Sequence, residues 1–324
     1  MENDTSNIYD VLILGGGPAG LSAGIYASRA RLSTLMVEKQ SAGGQVIMCE
    51  AIENYPGYTG SSSGWELGNA MQEQAERFGM QTRFAEVVSL ELDGPEKALH
   101  TAQGEVIRGR TVILCLGANP RRLGVPGEME FIGRGVSYCA VCDGAFFQDK
   151  KLVVVGGGDT AVEDSVFLAR YASRVTIVHR RDRFRAQRIL QERALSNPLI
   201  DVKWNTVVRS IMGTDTVERV LLEDVGTGEM TEFPADGVFV LVGLNPNTSM
   251  LEGILELDES GYIITDENMQ TNIPGVFAAG DVRHKLLRQI VTACADGAIA
   301  ATAAEKYLEN LPLSAPARID TLKP

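Results

Sequence analysis

The segment SYCAVCDGAFF, residues 137–147, holds two cysteines separated by two residues, with an acid directly after the second. Cys139 and Cys142 can be half of a zinc site, a structural staple, or a dithiol that opens and closes. A structural zinc needs four ligands, usually a second C-x-x-C or a closely spaced His pair. Neither exists: Cys49, Cys115 and Cys294 are scattered, and His100, His179 and His284 lie far apart. No metal is expected. A C-x-x-C that closes a tight loop can instead cycle between dithiol and disulfide, because the second thiol resolves any mixed disulfide formed by the first. Asp143 is then a candidate proton donor and acceptor for the reacting thiol, although Asp-Gly is also an ordinary turn signal. Phe146 and Phe147 supply apolar surface that either docks a partner or fills core.

Composition narrows the setting for such a pair. With 324 residues and 44% hydrophobic content, the chain is long enough for two domains with separate cores. Its apolar runs, such as residues 111–117 and 151–158, fall far short of the roughly 20 residues a membrane span needs. The N-terminus MENDTSNIYD is acidic and polar, unlike a secretory signal, and the expected location is the cytoplasm. Thirty Lys+Arg against 42 Asp+Glu give a net charge of -12, which repels phosphate backbones, so neither nucleic acid nor membrane is an expected partner. Five cysteines, an odd number in a large chain, do not suggest a disulfide scaffold.

The elements that must position the dithiol are announced by an internal repeat. YDVLILGGGPAGLSAGIYASR, residues 9–29, and KKLVVVGGGDTAVEDSVFLAR, residues 150–170, share one pattern. Each is an apolar strand, then G-x-G-x-x-G or G-x-G-x-x-A, then helical spacing, which opens a dinucleotide-binding fold. The small residues are Gly15, Gly17 and Gly20 in the first, and Gly156, Gly158 and Ala161 in the second. They allow a sharp turn, a close approach of backbone to pyrophosphate, and tight packing of helix on strand. The phosphates then meet free N–H groups and the positive end of the helix dipole.

The end of the second strand in such a fold faces the adenosine ribose, where an acid bonds the 2'-hydroxyl. LSTLMVEK ends in Glu38, which suits FAD or NAD. SRVTIVHRRDRFRA ends instead in His179, Arg180 and Arg181, with Arg183 and Arg185 beyond. Guanidinium groups clamp a 2'-phosphate that an acid would repel, so the second fold should take NADPH.

VILCLGANPR (112–121) and VFVLVGLNPN (238–247) are both apolar strands that end in Gly-x-Asn-Pro, a turn signal. They are expected to be the two crossings between domains. The fold class is therefore α/β with two Rossmann-like dinucleotide-binding domains (three-layer ββα), the second inserted into the first: residues 1–118 and 246–324 form one, residues 119–245 the other, which carries the dithiol. Trp65, Leu67, Met71, Ala75 and Phe78 recur at helical spacing, residues 82–92 and 98–117 alternate like antiparallel strands, and residues 292–311 suggest a closing helix. Two nucleotide folds and one dithiol imply a route from nicotinamide through a flavin to a disulfide and an external acceptor.

With these motifs assembled, the chain resembles the low-molecular-weight thioredoxin reductases over nearly its whole length. The matching pieces are GGGPAG, GGQ (43–45), ENYPG (53–57), CAVCDG (139–144), GGGDTAVE, HRRDRFRA, GVFAAGDV (275–282) and RQI (288–290). The resemblance implies FAD held in the outer domain by Gly15, Gly17, Pro18, Ala19, Gly20, Glu38, Lys39, Gly44, Gln45, Asn54, the main chain near Val87, Gly117 and Gly280. It puts Asp281 on the ribityl chain and Arg288, Gln289 and Ile290 near the ring. It further implies that Cys142 lies beside the flavin, that Cys139 attacks thioredoxin, and that Asp143 is the acid/base. Gly156, Gly158, Asp159, Thr160, Ala161 and Glu163 would line NADPH, with His179, Arg180, Arg181 and Arg185 at its 2'-phosphate. A homodimer is likewise implied. Because dithiol and NADPH site share the inserted domain, that domain is expected to rotate about Asn119 and Asn245 to bring each in turn to one flavin. The alternatives are a same-fold reductase fed by ferredoxin, a small-dithiol oxidase, neither of which needs the arginine cluster, and a flavin redox sensor without multiple turnover.

Overall fold

A computed structural model describes residues 8–48, 52, 54–58 and 63–311. Cys49, Glu53 and the tail from residue 312 lie outside the described residues, as does the side chain of Cys142. The chain separates into two compact units, one running Ala118–Asn245 and the other formed by the stretches that flank it.

The flanking unit opens with β1 (Ile8–Leu14), α1 (Pro18–Arg29), β2 (Thr34–Glu38), α2 (Gly64–Arg77), β3 (Gln81–Phe84), β4 (Val87–Glu91), β5 (Lys97–Thr101) and β6 (Val106–Leu114). β7 (Ala118–Pro120) follows at the crossing. The inserted unit contains β8 (Val136–Ser137), α3 (Ala140–Asp143), β9 (Lys151–Gly156), α4 (Asp159–Leu168), β10 (Arg174–Val178), α5 (Arg188–Leu195) and β11 (Ile200–Lys203). It then adds β12 (Thr206–Gly213), β13 (Val217–Asp224), β14 (Met230–Pro234) and β15 (Gly237–Leu241). β16 (Leu244–Pro246) lies at the return, and β17 (Val276–Ala278) and α6 (Ile290–Glu309) complete the flanking unit.

Each unit is built on a parallel sheet. In the flanking unit β3, β2, β1, β6 and β17 run parallel, while β5 and β4 add an antiparallel extension along the first half of β6. In the inserted unit β11, β10, β9, β15 and β8 are all parallel, and β12, β13 and β14 form a separate antiparallel meander. Strands covered on both faces should be apolar, and the central runs, residues 11–14 of β1 and 152–155 of β9, are. Val11 and Ile13 pack with α1, α2 and α6, while Leu12 and Leu14 face the cluster that includes Leu90 and Leu99. Leu152 and Val154 pack with α4 and α5, while Val153 and Val155 meet the meander at Val208, Ile211 and Val220. This is the three-layer arrangement, made twice.

One local expectation is corrected and another is met by a helix with a narrower buried face. Residues 82–92 are not one antiparallel run: β3 pairs parallel with β2, Leu35 opposite Gln81, because α2 carries the chain over before β3 enters. Only from Val87 is the pairing antiparallel. On α2 the buried stripe is Leu67, Met71 and Ala75, spaced by four; Trp65, two residues before Leu67, turns to solvent, and Phe78 continues the spacing as the C-cap residue just past the helix, 37% exposed. The helix begins in a capping box, Ser63 accepting from Glu66 N–H and Glu66 accepting from Ser63 N–H.

The crossings are joined to each other. β7 pairs with β16, Arg121 N–H donates to Gly243 O at 2.8 Å, and Asn247 N–H donates to Gly117 O at 3.1 Å. Arg121 Nε also donates to Asn245 Oδ1 at 3.0 Å.

Candidate functional site

The two glycine-rich turns are stereochemical copies. At Gly15, φ is +108° and a Cβ would lie 2.3 Å from Cys115 O; at Gly156 a Cβ would lie 2.3 Å from Leu241 O. Each first glycine thus abuts the carbonyl just past or at the end of the neighbouring parallel strand, where any side chain collides with backbone. A Cβ on Gly20 would stand 1.9 Å from Gly15 O, and one on Gly156 would stand 2.5 Å from the Ala161 methyl, so small third residues let each helix seat on its turn. Gly17 caps α1 and Gly158 caps α4, and neither helix has a side-chain cap. Their first N–H groups are left to an anion.

The copies differ at the tip of the second strand. In the flanking unit, Glu38 Oε2 accepts Gly16 N–H at 2.7 Å and Oε1 accepts Gln40 N–H at 3.0 Å, fixing the carboxylate against the turn. In the inserted unit His179 takes that place, so close to the turn that a Cβ on Gly157 would lie 2.3 Å from Nδ1. His179 is only 5% exposed. Burial lowers its pKa, its Nε2 lies 3.0 Å from Arg183 O, and Phe184 and Trp204 flank the ring. Expected at the 2'-phosphate, it is a support beneath the loop that carries Arg180, Arg181, Arg183 and Arg185, all exposed. Asp159 helps from the other side, accepting Gln187 N–H at 2.7 Å and Gln187 Nε2–H at 3.1 Å. Thr160 and Glu163 lie exposed on α4.

Other expected residues of the flanking unit converge on the first turn. Gly43 N–H donates to Gly16 O at 2.7 Å, and a Cβ on Gly44 would come within 3.0 Å of Gly17 Cα. Gln45 follows on the same short helical turn and is exposed. Asn54 Nδ2 donates to Gln289 Oε1 at 3.0 Å, joining two residues 235 apart in sequence. Gln289 caps α6, so Ile290 opens that helix. Gly280 approaches Ala19, where its Cβ would lie 2.8 Å from the methyl, behind Pro18 in the first turn of α1. Ala85 N–H donates to Glu38 O at 2.9 Å, bringing the chain just ahead of Val87 to the acid. Gly117, with φ +63°, has open space on its Cβ side. Lys39 differs: its ammonium pairs with Glu86 at 2.8 Å, on the surface.

A cofactor fits this cradle by its unmet hydrogen bonds. Asp281 Oδ1 and Arg288 Nε are buried and make none among the described residues, although the Lys285 ammonium stands 3.5 Å from Asp281 Oδ1. Burial raises the Asp281 pKa, opposed by Lys285 and Arg288, and a hydroxyl-bearing ligand would satisfy the oxygen. Sequence reasoning passed over the frame behind it. Asp296, 6% exposed, accepts Gly280 N–H at 3.0 Å, Arg283 at 3.1 Å and Lys285 at 3.0 Å; its only signal in sequence is an acid inside a small-residue helix.

Cys139 is disulfide-bonded. It precedes α3, and its carbonyl accepts Asp143 N–H at 3.3 Å. Cys115 and Cys294 are free, and burial raises both thiols, so neither is a ready thiolate. The aromatic pair divides: Phe147 packs edge-on against Phe239 at 5.3 Å, while Phe146 is 81% exposed.

The dithiol segment runs alongside α4. A Cβ on Gly144 would lie 3.0 Å from the Phe167 ring, and Asp149 N–H donates to Tyr171 O at 2.9 Å. One turn earlier on the same face stands Asp164, whose pKa is pushed up to about 7, first by burial and then by Glu163. In the unfolded chain an aspartate ionises near pH 4, so between roughly pH 4 and 7 the native state holds the extra proton and stability falls as pH rises. Asp164→Asn should therefore raise Tm by about 2–4 °C near pH 8 and by much less near pH 5, as read by calorimetry. An equal gain at both pH values would contradict this account.

No helix among the described residues is long and apolar enough to cross a membrane. Residues 9–297 match the pyridine nucleotide-disulphide oxidoreductase family. The chain is 49% identical over 94% of its length to thioredoxin reductase of Peptoclostridium acidaminophilum, covering 98% of it. It is 51% identical over 94% of its length to that of Bacillus subtilis (strain 168), covering 96%. The solved structure of Lactococcus lactis thioredoxin reductase in its FR conformation superposes with a TM-score of 0.91 at 45% identity, over 94% of this chain and 100% of that one. Two nucleotide turns of one stereochemistry, an acid at one strand tip and arginines at the other, and this likeness along the whole chain agree: the protein belongs to the pyridine nucleotide-disulphide oxidoreductase family, and within it to the thioredoxin reductases.

Proposed function

We propose that the protein is an NADPH-dependent thioredoxin-disulfide reductase that binds FAD, with electrons passing from NADPH to a Cys139–Cys142 disulfide and on to thioredoxin. One observation carries the reading: a disulfide-bonded Cys139 shares its unit with a nucleotide turn overlooked by exposed arginines, while the flanking unit repeats the turn with an acid in their place.

In this reading Gly15, Gly17 and Gly20 with the first amides of α1 hold the FAD pyrophosphate, and Glu38 accepts the ribose hydroxyls. Asp281 takes a ribityl hydroxyl; Gly44, Gln45, Asn54, Arg288, Gln289 and Ile290 surround the ring. When bound, FAD supplies an acceptor that takes a hydride pair from a nicotinamide and yields electrons to a disulfide. Gly156, Gly158 and Ala161 with the first amides of α4 hold the NADPH pyrophosphate, and Arg180, Arg181 and Arg185 clamp its 2'-phosphate. Cys142 is the partner sulfur of Cys139, Cys139 attacks thioredoxin, and Asp143 moves the proton that the leaving thiol requires.

Phe146, projecting beside the dithiol, suits a protein substrate. The inserted unit turns about the β7 and β16 crossings to serve both dithiol and nicotinamide. A homodimer is part of the reading; an open groove of about 600 Å³, walled by α6 and by Asn268 and Gln270 with exposed Tyr26 and Ile299 in its lining, is a surface that a second copy could cover. Work between NADPH and a dithiol suits the reducing cytoplasm.

The test is anaerobic addition of NADPH, and separately NADH, to the yellow holoenzyme. Rapid loss of flavin absorbance with NADPH and slow loss with NADH are expected. Indifference to both would favour a ferredoxin-fed or oxidase role.

A further inference from the structure

The inserted unit contains a buried carboxylate that the proposed reaction leaves unused. Glu128 is 1% exposed and accepts three hydrogen bonds. Leu123 N–H donates to Oε1 at 2.7 Å, Gly124 N–H donates to Oε2 at 2.6 Å, and the Tyr138 hydroxyl donates to Oε1 at 2.8 Å. Leu123 and Gly124 lie just beyond β7, in the chain that has newly entered the unit. Tyr138 directly precedes Cys139. A single side chain therefore ties the incoming segment to the residue that presents the dithiol.

The tie is firm at both ends. Burial, followed by the bond to Glu128 and its charge, raises the Tyr138 pKa well above the ordinary phenol value, so the hydroxyl remains a donor. A carboxylate withdrawn from water is stable only while its lone pairs are met, which holds Leu123, Gly124 and Tyr138 in place together. The next residues extend the arrangement. Ser137, 4% exposed, accepts Cys139 N–H at 3.0 Å and donates to Cys139 O at 3.2 Å. Tyr138 itself packs on the cluster of Phe131, Val136 and Val208.

We propose that Glu128 and Tyr138 are positioning residues for the dithiol, and that their hydrogen bond sets the balance between its oxidised and reduced forms. This rests on the reading that Cys139 pairs with Cys142 and cycles. A closed disulfide already restrains Cys139 through its ring. The open dithiol has no such restraint, so the Glu128–Tyr138 tie limits chiefly the reduced form. Removing it gives freedom to the dithiol alone and favours reduction. Holding the two sulfurs near each other raises the effective concentration of one toward the other and favours closure.

The experiment equilibrates the holoenzyme anaerobically with glutathione and glutathione disulfide over a range of ratios. Each reduction consumes two glutathiones, transfers two electrons and two protons to the Cys139 and Cys142 sulfurs, and releases one glutathione disulfide. After acid quenching, free thiols are alkylated and the peptide carrying both cysteines is weighed by mass spectrometry. Tyr138→Phe keeps the ring and removes the hydroxyl; it should shift the equilibrium toward dithiol by about tenfold, equivalent to about 30 mV. Glu128→Gln should shift it in the same direction, and the double variant should move no further than the larger single shift. An equilibrium in Tyr138→Phe unchanged within about twofold overturns the proposal, including when Tm falls, since the bond then serves stability alone. A wild-type peptide in which Cys139 is not paired with Cys142 defeats the dithiol reading itself, and this proposal with it.

Discussion

Replacing Cys139 with serine is expected to lower NADPH-dependent reduction of thioredoxin by about 10⁴-fold, the scale on which removing an essential nucleophile acts. A serine oxygen can neither form the mixed disulfide nor be released from one, so the substrate disulfide has no thiolate to open it. Everything upstream is untouched: the nucleotide turns, Glu38 and the arginine loop do not contact residue 139 through any bond described above. NADPH should therefore still bleach the flavin of Cys139→Ser. The two measurements divide the enzyme into halves, and the expected result is one half lost with the other kept. Steady-state turnover above about a tenth of wild type would remove Cys139 from the pathway.

The second large effect concerns coenzyme choice. Arg180 and Arg181 are exposed at the end of β10, held there by the buried His179 and by Asp159 through Gln187. A charge-assisted hydrogen bond contributes about 1.5–3 kcal/mol, less at a solvated site. Losing two of them in Arg180→Ala/Arg181→Ala should raise KM for NADPH about 100-fold, while KM for NADH moves little. The wild-type preference should also weaken with added salt, because exposed charges are screened within about 10 Å at 0.1 M ionic strength. The decisive comparison is the ratio of kcat/KM for the two coenzymes. If both fall together, the arginines support the fold and do not read the 2'-phosphate.

What could be seen in the chain beforehand was whatever is encoded within a few consecutive residues. Gly15 and Gly156 announce turns because only glycine avoids the carbonyls of Cys115 and Leu241, and that demand is local to the motif even though the carbonyls are distant. Glu38 and the 179–185 cluster were legible for the same reason, lying at a fixed remove from each turn. Asp296, Glu128 and Asp164 were not, since each acquires its importance from partners on other elements. Glu128 looks like one surface acid among 42 acidic residues until Leu123, Gly124 and Tyr138 close on it. His179 was legible in place but not in role: its neighbours Phe184 and Trp204 bury it, and only the arginines around it remain outside. Trp65 was legible as part of a helix but not by face: its offset of two positions from Leu67 turns it to solvent.

The lacing of β7 to β16 carries one more implication. Since Arg121 bonds Gly243 and Asn245, the stretch 118–245 leaves and rejoins the chain through neighbouring ends. It is in effect a cassette with its own clasp. Such a piece can be cut out, or exchanged for a counterpart, without stretching the scaffold that houses it, and its two ends need no linker to meet.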